Sequence, residues 1–434
     1  MGLGLAALTR LAGSKTLARA GLREPLQHLV GSATRNGFRA AGAVSRTFSS
    51  TRTAGQPARP AEAADKGLFD LTPTEEQQMI VETVAEFAAE QLRPAAAEAD
   101  AKLTPPDGLV GRAAELGVTL LGIPEELGGA GSERSVVTSA LIAESLAHGD
   151  LGLALAVLAP SAVSSALVLW GDAQQQADYL PAFVGDNVPA AALALQETKP
   201  LFDPFKPATR ARRTPGGYRL DGVKSLVPRA AQAELFIVSA ALEGPEGDRP
   251  ALFLVESSTS GVTVSAEPAM GLRSAATGAL HLDKVDLPSG ALLGGASPDV
   301  FTEAVRLSRL GWAALACGTG KAVLDYVIPY VNERKAFGEP ISHRQAVAFS
   351  VADIAIELEG MRLVTLRAAA RAEQGKPYAR EVALARKLAA DKGMRIGSAG
   401  VQLLGGHGFI KEHPVERWYR DLRAIAILEG CVLL

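Results

Sequence analysis

Cysteine is nearly missing from this chain: Cys317 and Cys431 are the only two in 434 residues. Two thiols cannot build a disulfide framework or a four-thiolate metal site. Both have apolar sequence neighbours, which reads as buried, inert thiols. A strong charge of either sign is also missing. The net charge is -3, which gives no general reason to bind nucleic acid or anionic lipid. No apolar run reaches membrane-spanning length without Gly, Pro or charge interrupting it. No strand leads into a Gly-x-Gly-x-x-Gly turn, so a Rossmann dinucleotide site is not supported. No internal repeat is visible. Acidic residues are scarce at the start, where Glu24 is the only one before Glu62.

What is present fits a globular protein, with 47% apolar and 21% charged residues. The length exceeds one ordinary core, so two or three domains are expected. The first sixty residues are rich in Arg, Ala, Ser and Gly, a composition that matches a mitochondrial presequence, with Arg46-Thr-Phe-Ser49 as a processing site. Yet Arg outnumbers Lys and Ala is abundant throughout, as in a bacterial chain from a GC-rich genome. The reading adopted is a bacterial cytoplasmic protein, with the mitochondrial matrix as the alternative. Leu22–Val30 would then be a helical docking arm.

Residues 1–66 read as an extension and linker, the linker running from Pro57 and Pro60 to Lys66. Thr72 is a candidate N-cap with Pro73 at the first helical position. Ile80, Val84, Phe87 and Ala88 then recur at helical spacing, and Leu151–Leu169 reads as a core helix. After Pro189 the pattern changes to short β-branched runs, which predict a compact domain of antiparallel strands. Phe301–Asn332, Ser342–Glu373 and Ala379–Leu404 are long helical patterns. The fold class is therefore α+β, with segments at 67–191 (helical), 192–299 (β) and 300–434 (helical).

Several ordered motifs carry chemistry. Glu429 follows an apolar run and precedes Gly430. Desolvation there disfavours the charged form and makes the carboxylate a usable proton acceptor; alone, the pair reads equally as a helix end with a glycine cap. Met270-Gly-Leu-Arg273, Arg334-Lys-Ala-Phe-Gly338 with Gln345, Gln402-Leu-Leu-Gly-Gly-His-Gly408, Arg420-Asp421 and Glu429-Gly430 follow in order. Arg334 alone reads as a solvated helix-end arginine, Arg309 as a surface or paired one, and Gly405-Gly406 as a turn. His407 and His413 lack clustered Cys or carboxylates at ligand spacing, so they read as structural and no metal is expected.

Together these motifs resemble the acyl-CoA dehydrogenase family from about Leu71 to Gly430. The resemblance implies an N-terminal helical domain, a middle β domain and a C-terminal four-helix bundle. It also implies FAD-dependent α,β-dehydrogenation of an acyl-CoA thioester. Glu429 would take the α proton, the β hydride would go to flavin N5, and electrons would pass to an electron-transfer flavoprotein. The enolate-like charge would be met by a backbone N–H, that of Glu429, and by a ribityl hydroxyl. Ser308 occupies the helix position that carries the base in some members and cannot serve as one. Arg334, Phe337, Gln345, Gln402, Gly405 and Gly406 would reach FAD across a subunit contact in a dimer of dimers. Arg309 and Gly430 would lie at the acyl-CoA site.

The resemblance fails at two places. Leu195-Gln196-Glu197 stands for the family's Leu-Thr-Glu, and Phe202 stands where Ser is usual. Leu226 replaces the aromatic ring that covers the flavin, and Pro228 removes a hydroxyl and an N–H. The family's further helix is not found after Leu434, so its CoA contacts are expected to be absent or supplied elsewhere. The alternatives are a degenerate, non-catalytic or acyl-CoA-binding subunit of a heteromeric dehydrogenase, or an acyl-CoA oxidase.

Overall fold

The computed structural model describes residues 57–63, 70–120, 122–131, 133–185, 187–245 and 247–432. Most of the N-terminal extension, including the presequence and docking-arm readings, lies outside the described residues. The described part of the linker is docked on the helical core. Ala58 exchanges hydrogen bonds with Gln176, and Ala61 accepts from the Arg134 N–H at 2.8 Å.

The first helix, α1 (Glu75–Phe87), is capped by Thr74 rather than Thr72. Thr74 Oγ1 accepts from the Gln77 N–H and Gln77 Oε1 accepts from the Thr74 N–H, a reciprocal capping box. Thr72 also has an acidic residue, Glu75, three positions on, but the helix begins only at Glu75, so Thr72 lies outside the capping position. A π-helical turn leads into α2 (Arg93–Lys102), followed by α3 (Leu109–Glu115), α4 (Val136–Gly149), α5 (Leu151–Trp170) and α6 (Ala173–Phe183). Among the described residues, α5 alone is long and apolar enough to cross a membrane by length and composition, and 72% of that span is buried. Asp150 caps it by accepting from the Leu153 N–H.

The strands follow: β1 (Ala191–Ala194), β2 (Arg210–Thr214), β3 (Gly217–Val227), β4 (Leu235–Leu242), β5 (Arg249–Glu256), β6 (Val262–Ala266), β7 (Gly278–Pro288) and β8 (Leu292–Leu293). Their order is β6-β7-β3-β2-β4-β5-β8, with β1 beside β4. The expectation of antiparallel strands is corrected at two pairings, because β1 and β2 both run parallel to β4. The reason is connection length: β1 reaches β4 only after the chain has built β2 and β3, and so returns in the same direction. β4 is buried on both faces. Phe236, Val238 and Ala240 fill the core of the sheet, while Leu235 and Ile237 pack against α5, α6 and the next helix.

Four C-terminal helices complete the chain: α7 (Pro298–Glu333), α8 (Gln345–Glu373), α9 (Ala379–Leu404) and the short α10 (Val415–Ala424). A small hairpin, β9 (Lys335–Ala336) and β10 (Glu339–Pro340), joins α7 to α8. α7 and α4 cross so closely at Gly318 that a Cβ there would lie 2.0 Å from the Glu144 carbonyl.

Candidate active site

The site begins with how α10 is anchored, because Glu429 follows it by one irregular turn. Arg417 Nε donates to buried Asp150 at 3.1 Å. Arg420 forks onto Asp100 at 2.8 and 3.1 Å. The Met270–Arg273 turn docks here: Leu272 N–H donates to Asp421 at 2.6 Å, and a Cβ on Gly271 would lie 2.3 Å from the Arg420 carbonyl. Burial, reinforced by nearby Asp150, pushes the Asp421 carboxyl up to about 7.

This scaffold places Glu429 in the left-handed region, at φ 55°, with Gly430 at φ 96°. The turn is held by two arginines. Arg309, on α7, donates to the Glu429 carbonyl from Nε and Nη2, at 3.2 and 2.8 Å. Arg386, on α9, donates to the Leu428 carbonyl at 3.0 Å and also to the Gly430 carbonyl. Burial, with Arg309 nearby, pushes the Arg386 guanidinium down to about 10. The Gly430 N–H donates to Gln196 Oε1 at 3.3 Å and the Cys431 N–H to the Phe202 carbonyl at 3.0 Å.

Glu429 is buried, with 7% of its surface exposed. Its Oε1 accepts from the Ser308 hydroxyl at 2.8 Å and from the Trp312 indole N–H at 3.1 Å. Its Oε2 is buried with no hydrogen-bond partner among the described residues. A buried acceptor left unpaired costs about 1–3 kcal/mol, so an orphaned oxygen of this kind marks a candidate functional position.

A cavity of about 390 Å³ opens next to the Glu429-Gly430 turn, lined among others by Gln196, Phe202, Leu226, Glu267, Ile427 and Cys431, though not by Glu429 itself. That volume is in the range of small-molecule sites. Its floor is fixed by a buried network: Lys224 Nζ donates to Glu197 at 2.7 Å and to Ser239 at 2.9 Å. Burial pushes the Lys224 amine down to about 8 against the pull of Glu197. Leu226, which stands where the resembled family carries an aromatic ring, sits at a bulge of β3 with φ 52°. Its N–H donates to Glu267 at 2.6 Å. Leu195 and Pro228 are buried behind this wall.

The remaining site residues form a second group at the other end of the bundle. Arg334, Phe337, Gln345, Gln402, Gly405 and Gly406 are all exposed, Phe337 at 97%. The Tyr330 hydroxyl, donating to the Leu404 carbonyl at 3.3 Å, holds the ends of α7 and α9 together beneath them. A Cβ on Gly405 or Gly406 would meet no atom within 4 Å, so packing inside this chain does not require those glycines, although the backbone of Gly405, at φ 57° and ψ -130°, would strain any side chain. Close approach by a group from outside would require them. His407 and His413 stack with centroids 5.1 Å apart and bond Tyr330 and Tyr326. Among the described residues, no group of three His, Cys, Asp or Glu is placed to hold a metal ion.

Sequence reasoning missed Trp312, Arg386 and Glu267, and treated Ser308 only as an absent base. Ser308 and Trp312 are four residues apart on one helix face, a signal that two side chains act together but not on what.

A helical segment, a β segment and a helical bundle meet around a buried carboxylate whose chain neighbours line a ligand-sized cavity. Comparison with known proteins gives the family. Models of the acyl-CoA dehydrogenase N-terminal, middle and C-terminal domains match residues 74–186, 192–285 and 299–432. The mouse mitochondrial short-chain specific acyl-CoA dehydrogenase is 32% identical over 361 residues, covering 82% of this chain and 87% of that one. Butyryl-CoA dehydrogenase from Megasphaera elsdenii superposes with a TM-score of 0.78 at 28% identity, over 84% of this chain and 97% of that one. A chain in the solved structure of the electron transferring flavoprotein of Acidaminococcus fermentans does so at 0.78 and 29%, over 84% and 97%. The chain belongs to the acyl-CoA dehydrogenase family, whose members are FAD-containing oxidoreductases.

Proposed function

We propose that this protein oxidises the α,β bond of an acyl-CoA thioester, with Glu429 as the base that takes the α proton. The observation that carries this reading is the unpartnered, buried Oε2 of Glu429, on a turn whose neighbours Ile427 and Cys431 line the cavity. A base in reach of the proton it takes contributes about 10²–10⁴-fold. The Glu429 N–H would serve the thioester oxygen as an oxyanion donor.

The residues fit FAD as cofactor. Gln196 and Leu226, with Leu195 and Pro228 behind them, would border its ring in the cavity. Gln196 keeps a donor and an acceptor where Thr was expected. Arg334 suits the pyrophosphate by charge and fork geometry, with Phe337, Gln345, Gln402, Gly405 and Gly406 beside it. When bound, FAD supplies the two-electron acceptor for the β position. Because this second group is exposed at the end of the bundle, it would serve a cofactor held by a second copy of the chain. That reading favours a homotetramer built as a dimer of dimers. Arg309 is committed to the Glu429 carbonyl, so it acts on substrate by fixing the turn, with Gly430 providing close approach. An electron-transfer flavoprotein is the proposed acceptor, in keeping with the neighbour from Acidaminococcus.

The test is anaerobic mixing of the purified yellow protein with butyryl-CoA. Bleaching of the flavin band, reversed by electron-transfer flavoprotein, is the expected outcome. Rapid peroxide formation in air would favour an oxidase. A colourless protein that gains activity only with a partner subunit would favour the degenerate-subunit reading.

A further inference from the structure

The two oxygens of Glu429 have opposite surroundings. Oε1 holds two donors, the Ser308 hydroxyl and the Trp312 indole N–H, while Oε2 is buried and holds none. Both donors come from α7, one helical turn apart, and Arg309 between them grips the Glu429 carbonyl. One face of one helix therefore fixes the residue at its backbone and at its carboxylate.

We infer that Ser308 and Trp312 are positioning residues that lock the Glu429 carboxylate and make Oε2 the only oxygen that receives the substrate proton. The inference rests on the reading of Glu429 as the base. The terminal torsion of a glutamate is broad and roughly two-fold, so an untethered carboxylate would present either oxygen in many orientations. Hydrogen bonds to an ionised group are strong enough to select one. The proton count also fits. The Cα–H bond of the thioester breaks, its electron pair stays with the thioester, and an O–H bond forms at Oε2. Oε1 becomes the carbonyl oxygen of the neutral acid and still accepts from both donors. Protonation at Oε1 would instead force a donor away. A serine at the position where a base was sought thus acts through the base that is there.

The experiment compares Ser308→Ala, Trp312→Phe and Ser308→Thr holoenzymes. Loss of one hydrogen bond to a charged group predicts a fall in kcat of about 10- to 100-fold in the first two, with KM within about twofold. Ser308→Thr, which keeps the hydroxyl, should retain kcat within a few-fold. Infrared difference spectra of substrate-free holoenzyme, each against its Glu429→Gln counterpart, isolate the carboxylate stretches. Their separation should change in Ser308→Ala and Trp312→Phe and not in Ser308→Thr. Unchanged kcat with unchanged bands would overturn the inference, as would losses in which KM and flavin content change as much as kcat. If Glu429→Gln is itself active, the base assignment fails, which is a separate result from failure of the tether.

Discussion

Burial treats the two thiols of this chain differently. Burial in the helical core, with Glu144 nearby, pushes the Cys317 thiol up to about 12. Cys431 is half-buried and lines the cavity beside Glu429. Iodoacetamide at pH 8 should therefore label Cys431 and spare Cys317, and bound acyl-CoA should slow the labelling. Peptide mass spectrometry checks this, and equal labelling of both would count against the cavity's access. The sequence placed both thiols among apolar neighbours and gave no sign of this difference, because the Glu429-Gly430 turn redirects the chain just before Cys431. The burial of Glu429 was legible from the apolar run before it. Its tether was not, because Trp312 lies 117 residues away and no local pattern names a partner at that distance.

Among the elements, legibility follows periodicity. Ala379–Leu404 was read from the sequence with its observed ends, and the other two long helices shifted by at most three residues at each end. Each buries a 3.6-residue stripe that repeats often enough to override local noise. The parallel pairings of β1 and β2 with β4 were not legible, since a strand of four or five residues carries no record of its neighbour's direction. The β9–β10 hairpin and the Gly405-Gly406 turn are elements with no internal packing role. Arg334→Ala should leave the fold intact and lose FAD on purification. Flavin absorbance per chain measures this directly, and unchanged flavin content would remove Arg334 from the cofactor site.

At the scale of the whole molecule, one face of the bundle is unlike the rest. Phe349, Ile356 and Leu363 are exposed on α8 at seven-residue spacing. Single exposed apolar residues are ordinary, but a stripe along one helix is the kind of surface that the proposed assembly would cover. Ile356→Asp should shift the protein to a smaller species in light scattering and lower its flavin content in parallel. A change in size with full flavin content would separate the apolar stripe from the cofactor-sharing face. The segment order was legible from the switch between helical and β patterning. Periodicity shows that a face is apolar and not what covers it, so the dimer of dimers rests on the family resemblance.

The central claim is that the buried, unpartnered oxygen of Glu429 takes the α proton. Its most direct test is a single-turnover reduction of Glu429→Gln holoenzyme by acyl-CoA under anaerobic conditions, with ligand binding measured on the same sample. The amide keeps the size of the side chain and removes the base. The account predicts normal flavin content and acyl-CoA binding, with flavin reduction slowed by about 10²–10⁴-fold. Reduction at the wild-type rate would contradict it.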